Sequence, residues 1–115
     1  MSRRRGAATR HWLNQRLTAV ALVPLGLWFL LALLRQPALD YATVSMWLGK
    51  PLQALLAALL GGAMLWHSIL GVEVVLEDYV HGKTFRLSLW LARLAHAAVA
   101  VVLAWALFRI AGPGA

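Results

Sequence analysis

The sequence contains a run of twenty-two residues without a charged side chain, residues 51–72, and this run limits the fold more than any other feature. A helix rises ~1.5 Å per residue, so a run of this length can cross the ~30 Å hydrocarbon core of a membrane. Inside lipid the backbone must satisfy its own hydrogen bonds, which a single segment does only as a helix. Glu73, Glu77 and Asp78 mark where the segment leaves the membrane. We therefore predict a transmembrane helix over about 52–78.

Two shorter apolar runs indicate two more spans. Residues 17–34 are eighteen residues without a charge, longer than the apolar part of a usual secretory signal, so a retained helix over about 14–34 is expected. Fifteen residues separate Arg93 from Arg109, whose side chains can extend toward the membrane surface, so a third helix is expected over about 87–110. Residues 35–50 form a short polar connection. The predicted fold is an all-α membrane protein with three transmembrane helices, and residues 1–115 form a single domain.

The composition supports the membrane class and excludes several kinds of site. Hydrophobic residues make up 62% of the chain, which leaves too little polar surface for a soluble domain of this size. The chain has no cysteine, so it cannot form a disulfide, a thiolate metal site or a cysteine-bound iron–sulfur cluster by itself. The net charge is +7, and basic residues beside a membrane helix are typical of its cytoplasmic side. We therefore predict contact with membrane lipid and no binding of nucleic acid.

The distribution of Lys and Arg predicts how the chain is oriented in the membrane. With the N-terminus in the cytoplasm, eight basic residues lie on or near the cytoplasmic side and three lie on the other side. This excess supports a cytoplasmic N-terminus and a periplasmic C-terminus. The cytoplasmic set is Arg3, Arg4, Arg5, Arg10, Arg16, Lys83, Arg86 and Arg93, and the opposite set is Arg35, Lys50 and Arg109.

One face of the second predicted helix combines a histidine with a glycine. At ~100° per residue, His67, Gly71, Val74 and Asp78 lie on one narrow stripe. Such a stripe could hold a flat cofactor against the bare backbone at Gly71, and a neutral imidazole at His67 can ligate haem iron. The alternative is a membrane histidine that hydrogen-bonds a neighbouring helix. Ionisable groups within a membrane are often functional, so both interpretations stay open.

Other polar residues lie where a cofactor or substrate could meet them. His96, within the third span, could be a second ligand, part of a proton path or a packed polar group. Arg16 and His11, at the start of the first span, could meet haem propionates or lipid headgroups. Tyr79 could donate to a quinone carbonyl and Asp78 could supply a proton. Alternatively, these last two are an interfacial tyrosine and a solvated aspartate.

Taken together, these residues resemble a known family. The chain is similar to the small hydrophobic membrane anchor subunit, the D-type subunit, of bacterial succinate dehydrogenase (complex II). Length, three spans and the N-in arrangement agree with that family over essentially the whole chain. The motifs that carry the resemblance are the segment His11–Ala19, the pair His67 and Gly71, and the segment Asp78–Val80.

The resemblance implies roles for individual residues. It implies that His67 ligates the iron of haem b, with the opposite ligand supplied by a second, C-type membrane anchor subunit. It implies that Tyr79 hydrogen-bonds ubiquinone near the cytoplasmic face, with Asp78 beside it. Arg16 corresponds to an arginine near the haem propionates and the quinone pocket. The resemblance gives no role to His96.

The resemblance also implies the setting in which the chain works. Electrons would come from a flavoprotein subunit and an iron–sulfur subunit docked on the cytoplasmic side of a bacterial inner membrane. The chain would carry no catalytic residue for succinate oxidation. The alternatives are a haem-binding anchor of another respiratory dehydrogenase and a non-catalytic assembly or transporter subunit.

Overall fold

The computed structural model of the protein describes the backbone of residues 2–113 and the side chains of residues 6–113. Within that part of the chain the architecture is all-α, with four helices. Three of them are long and apolar enough to cross a membrane, which confirms the predicted fold class. The helices are α1 (Ser2–Leu34), α2 (Tyr41–Leu48), α3 (Pro51–Tyr79) and α4 (Gly82–Ala111).

Helix α3 is the centre of the arrangement. It packs along α1 on one side and along α4 on another, and the short α2 touches α3 and α4. The Cα trace is 54 Å long and about half as wide, as expected for helices that run beside one another. The residues near the middle of α3 are therefore placed where they can meet both neighbouring long helices.

Helices α1 and α4 begin earlier than the apolar runs indicated. Helix α1 starts at Ser2, twelve residues before the expected position, and α4 starts at Gly82, five residues early. Both added segments are polar, so a search for apolar runs does not detect them, although Arg, Lys and Ala favour helix. The side chains of Arg3, Arg4 and Arg5, which contribute to the orientation argument, lie outside the described residues. The orientation itself stays a prediction.

Helix α2 corrects the prediction that residues 35–50 are only a polar connection. Asp40 caps its first turn, because the carboxylate accepts from the Thr43 backbone N–H at 2.9 Å and from the Thr43 hydroxyl at 3.1 Å. These hydrogen bonds, the backbone one first, hold the pKa of the Asp40 carboxyl below its usual value. The cap is therefore present above that usual value and is lost as the pH falls through the lowered pKa.

An aromatic cluster attaches α2 to the end of α1. The Trp47 side chain is buried, and its ring centroid lies 5.9 Å from that of Trp28 and 5.7 Å from that of Phe29. These separations are typical of favourable aromatic pairs. The burial of one large ring explains why a helix of only eight residues is held in place.

Much of the apolar surface of the molecule faces outward. Among residues 6–113 only Trp47, Leu60 and Leu70 are buried hydrophobic residues. Large exposed apolar side chains lie on α1, α2, α3 and α4 alike. In water this surface would be strongly unfavourable, so it requires lipid or partner helices around it.

The contact between α3 and α4 depends on a glycine. A Cβ added at Gly61 would overlap the Leu103 side chain of α4, whereas a Cβ at the neighbouring Gly62 would meet nothing within 4 Å. We expect Gly61→Val to destabilise the fold by about 1–3 kcal/mol, because the Leu103 side chain must leave its present position to make room for the added methyl groups. Gly62→Val is the matched control and should cost less. Thermal unfolding of the protein purified in mild detergent measures both, and equal losses would contradict this packing.

Candidate functional site

The side chain of His67 is half-buried and faces α1. Its Nδ1 atom lies 3.0 Å from the Thr18 hydroxyl oxygen. The same oxygen lies 2.9 Å from the Asn14 carbonyl oxygen and 3.0 Å from the Gln15 carbonyl oxygen, both one turn earlier in α1. The contact with Thr18 confirms neither interpretation of His67 by itself, because a ligand and a packed histidine can both make it.

The hydrogen bonds around Thr18 favour the tautomer of His67 that carries its proton on Nδ1. A hydroxyl has one proton, and the two carbonyl oxygens can only accept it. When that proton goes to one of these α1 carbonyl oxygens, the Thr18 oxygen accepts from Nδ1–H of His67. The remaining ring nitrogen, Nε2, then carries a lone pair. No described residue hydrogen-bonds to it.

Open space lies one turn beyond His67. A Cβ added at Gly71 would find only the Gln15 amide nitrogen within 4 Å, at 3.9 Å. Within the described residues no group of three or more His, Asp or Glu side chains could hold a metal ion between them. A macrocycle that already holds its iron needs only one ligand from this chain. A free imidazole lone pair beside a bare backbone fits that requirement.

The other predicted site residues of α1 lie in two different places. His11 faces α3, with Nδ1 4.0 Å from Glu73 Oε2, and its Nε2 atom is buried without a hydrogen-bond partner among the described residues. Arg16 is exposed, and its guanidinium carbon lies 5.1 Å from the centroid of the Trp12 ring. In a helix Arg16 is rotated by ~160° from Thr18, so it does not share the face that meets His67.

Glu73 connects the three long helices. Arg93 of α4 donates to Glu73 Oε1 from Nε at 3.1 Å and from Nη2 at 2.8 Å, while His11 of α1 approaches the other carboxylate oxygen. Two donors from one guanidinium to one carboxylate make a directional, charge-assisted contact. Sequence analysis predicts for Glu73 only that it marks the end of a span, and the opposite charge of Arg93 is the signal that could have identified this pairing.

His96 is hydrogen-bonded at both ring nitrogens. Its Nδ1 atom lies 2.8 Å from the Ala92 carbonyl oxygen, so Nδ1 must carry the proton. Its Nε2 atom, 3.0 Å from the Ser68 hydroxyl, then accepts from that hydroxyl. This arrangement leaves no lone pair for a metal and favours the interpretation of His96 as a packed polar group.

Asp78 and Tyr79 lie at the end of α3. Both side chains are exposed, and Tyr79, the last residue of α3, is 80% exposed. Along the helix axis Tyr79 lies about 18 Å beyond His67. Asp78 shares the helix face of His67, whereas Tyr79 is rotated by ~120° from it. The two residues are therefore free to meet a substrate or a partner at the membrane boundary.

Comparison with known proteins places the chain in a family. The family model for the succinate dehydrogenase/fumarate reductase transmembrane subunit matches residues 2–108. The chain belongs to this family. Family membership and three long apolar helices together make it a multi-pass membrane protein.

Curated relatives of the chain carry a more specific name. The succinate dehydrogenase hydrophobic membrane anchor subunit of Rickettsia bellii (strain RML369-C) is 33% identical over 86 residues, which cover 75% of this chain and 69% of the relative. The subunit of the same name from Rickettsia felis (strain ATCC VR-1525 / URRWXCal2) is 30% identical over 76 residues, which cover 66% of this chain and 63% of the relative. No solved structure matches the chain.

Proposed function

We propose that this chain is the D-type hydrophobic membrane anchor subunit of a bacterial succinate dehydrogenase. In this role it binds haem b together with a C-type anchor subunit, and it forms part of a ubiquinone site at the cytoplasmic face of the inner membrane. The observation that carries the proposal is the family match over residues 2–108. The names of the relatives favour succinate dehydrogenase within a family that also includes fumarate reductases.

His67 is the residue of this chain that we propose would hold the iron of haem b. The support is local: Nδ1 lies 3.0 Å from the Thr18 hydroxyl, no described residue hydrogen-bonds to Nε2, and Gly71 leaves the adjacent backbone bare. When bound, haem b supplies a one-electron centre within the membrane. His67 would hold the iron, while His11 and Arg16 remain the proposed neighbours of the propionates or the quinone.

Tyr79 and Asp78 are the proposed substrate contacts of this chain. Reduction of ubiquinone to ubiquinol takes two electrons, which the iron–sulfur subunit supplies, and two protons from the cytoplasm. The Tyr79 hydroxyl donates a hydrogen bond to one quinone carbonyl oxygen, which orients the ring and stabilises the negative charge that develops on that oxygen. Asp78, exposed beside it, passes protons from water toward the site.

The partner subunits follow from the same proposal. The chain has no cysteine and so no iron–sulfur cluster of its own, and it depends on a flavoprotein subunit and an iron–sulfur subunit for succinate oxidation. Its exposed apolar side chains require lipid or a second anchor subunit as neighbours.

Purification of the tagged chain from its native membrane in mild detergent tests this assignment. We expect three further subunits to co-purify: a flavoprotein, an iron–sulfur protein and a second membrane anchor. The preparation should reduce a ubiquinone analogue with succinate as the electron donor. Co-purification with the subunits of a different dehydrogenase, or isolation of the chain without any of the three, would contradict the proposed function.

A further inference from the structure

We propose that Thr18 is a positioning residue for His67, which sets the tautomer, the ring orientation and the electron-donating strength of the proposed haem ligand. The inference rests on the proposed function, because it concerns the ligand of haem b. It adds a residue of α1 to a site that the sequence analysis placed on α3. The geometry that carries it is the 3.0 Å contact between Thr18 Oγ1 and His67 Nδ1.

Thr18 is itself held in a fixed orientation. Its hydroxyl lies 2.9 Å from the Asn14 carbonyl oxygen and 3.0 Å from the Gln15 carbonyl oxygen, so its proton has two acceptors in the α1 backbone. Its β-branch limits the side chain to few rotamers within a helix. Thr18 therefore presents a lone pair toward α3 from a rigid support, and this lone pair can accept Nδ1–H of a His67 whose Nε2 ligates the iron.

This fixed acceptor affects His67 in two ways. Rotation of an imidazole about its ring bond is otherwise loosely restrained, and one hydrogen bond at Nδ1 defines the plane of the ring. Donation of Nδ1–H also increases the basicity of Nε2, as it does in metal-ligating histidines generally. A more basic ligand stabilises the more positively charged, oxidised iron, so Thr18 should lower the midpoint potential of haem b.

His96 provides a contrast within the same molecule. Its Nδ1–H is bound by the Ala92 carbonyl of its own helix, but its Nε2 is occupied by the Ser68 hydroxyl. Of these two histidines, only His67 combines an Nδ1 partner with a free Nε2 in the described part of the chain. The Nδ1 partner of His67 is Thr18, which belongs to another helix, so the orientation of the His67 ring depends on the packing of α1 against α3.

The test is the midpoint potential of haem b in the purified complex with all its subunits, measured by redox titration of the visible absorption band. Thr18→Val keeps the size of the side chain but removes the hydroxyl, and it should raise the potential while His67 still ligates the iron. Thr18→Ala should also raise the midpoint potential, and it provides the test if the valine variant does not assemble. Thr18→Ser restores the acceptor and should keep the potential of the unsubstituted complex.

The possible results separate this inference from the proposed function. If the valine and alanine variants keep the unsubstituted potential, Thr18 does not tune His67. If the serine variant shifts as much as the alanine variant, packing rather than the hydrogen bond is responsible, and the inference is also wrong. If the unsubstituted complex contains no haem, the proposed haem site fails and the inference with it.

Discussion

Replacing His67 with leucine should abolish the low-spin, bis-histidine haem spectrum of the purified complex. Leucine fills a similar volume but offers no lone pair, so the iron would lose the ligand from this chain and change its spin state or leave the site. The absorption spectrum of the oxidised and reduced complex measures this directly. Gly71→Leu should also perturb the spectrum, because it fills the open space one turn away from His67.

His96→Leu is the matched control for the His67 variant. Both histidines lie within membrane-spanning helices, but the two ring nitrogens of His96 are already paired with Ala92 and Ser68. The control should therefore keep the low-spin spectrum, although it leaves the Ser68 hydroxyl without its acceptor. An unchanged spectrum in the His67 variant, or loss of the low-spin spectrum only in the His96 variant, would contradict the assignment of His67 as the haem ligand.

Replacing Tyr79 with phenylalanine should lower succinate–quinone reductase activity by about 10²-fold or more. One lost hydrogen bond to a developing oxyanion raises a barrier by roughly 2–4 kcal/mol. Haem content and subunit assembly should stay normal, because Tyr79 is exposed at the end of α3. Succinate oxidation measured with a soluble dye that accepts electrons upstream of the quinone should also be unchanged.

The other tyrosine of the chain serves as the control. Tyr41 is 81% exposed, almost the same as Tyr79, but it begins α2 in the connection after α1. Tyr41→Phe should leave quinone reduction intact. Asp78→Asn should have a milder effect than Tyr79→Phe, because water can replace a proton relay at an exposed edge. Full quinone reductase activity in the Tyr79 variant would contradict the proposed quinone contact and would favour the interpretation of Tyr79 as an interfacial anchor.

The three membrane spans could be predicted from the sequence because a long run without charge has one stable structure in lipid. The same argument did not predict that the polar first residues of α1 and α4 are helical, because helix formation outside the membrane does not depend on hydropathy. Helix α2 had a local signal, an aspartate three residues before a threonine, but its place in the fold depends on Trp47 reaching the aromatic side chains of α1.

The sequence could place His67 and Gly71 on one face, because both lie on one helix and residues four apart in a helix project from the same side. The contacts of His67 with Thr18, and of Glu73 with Arg93, join residues of different helices. Such pairs depend on which helix faces meet and at what height, and a single sequence does not contain that information. The roles of Arg16 and His11 beside a cofactor stay predictions for the same reason.

The reduced-minus-oxidised visible spectrum of the purified complex tests the central claim most directly. The account predicts the bands of a low-spin haem b in the unsubstituted complex, at one haem per copy of this chain, and their absence in the His67→Leu complex with its other subunits still present. An assembled, quinone-reducing complex whose low-spin haem bands are the same with histidine or leucine at this position would contradict it.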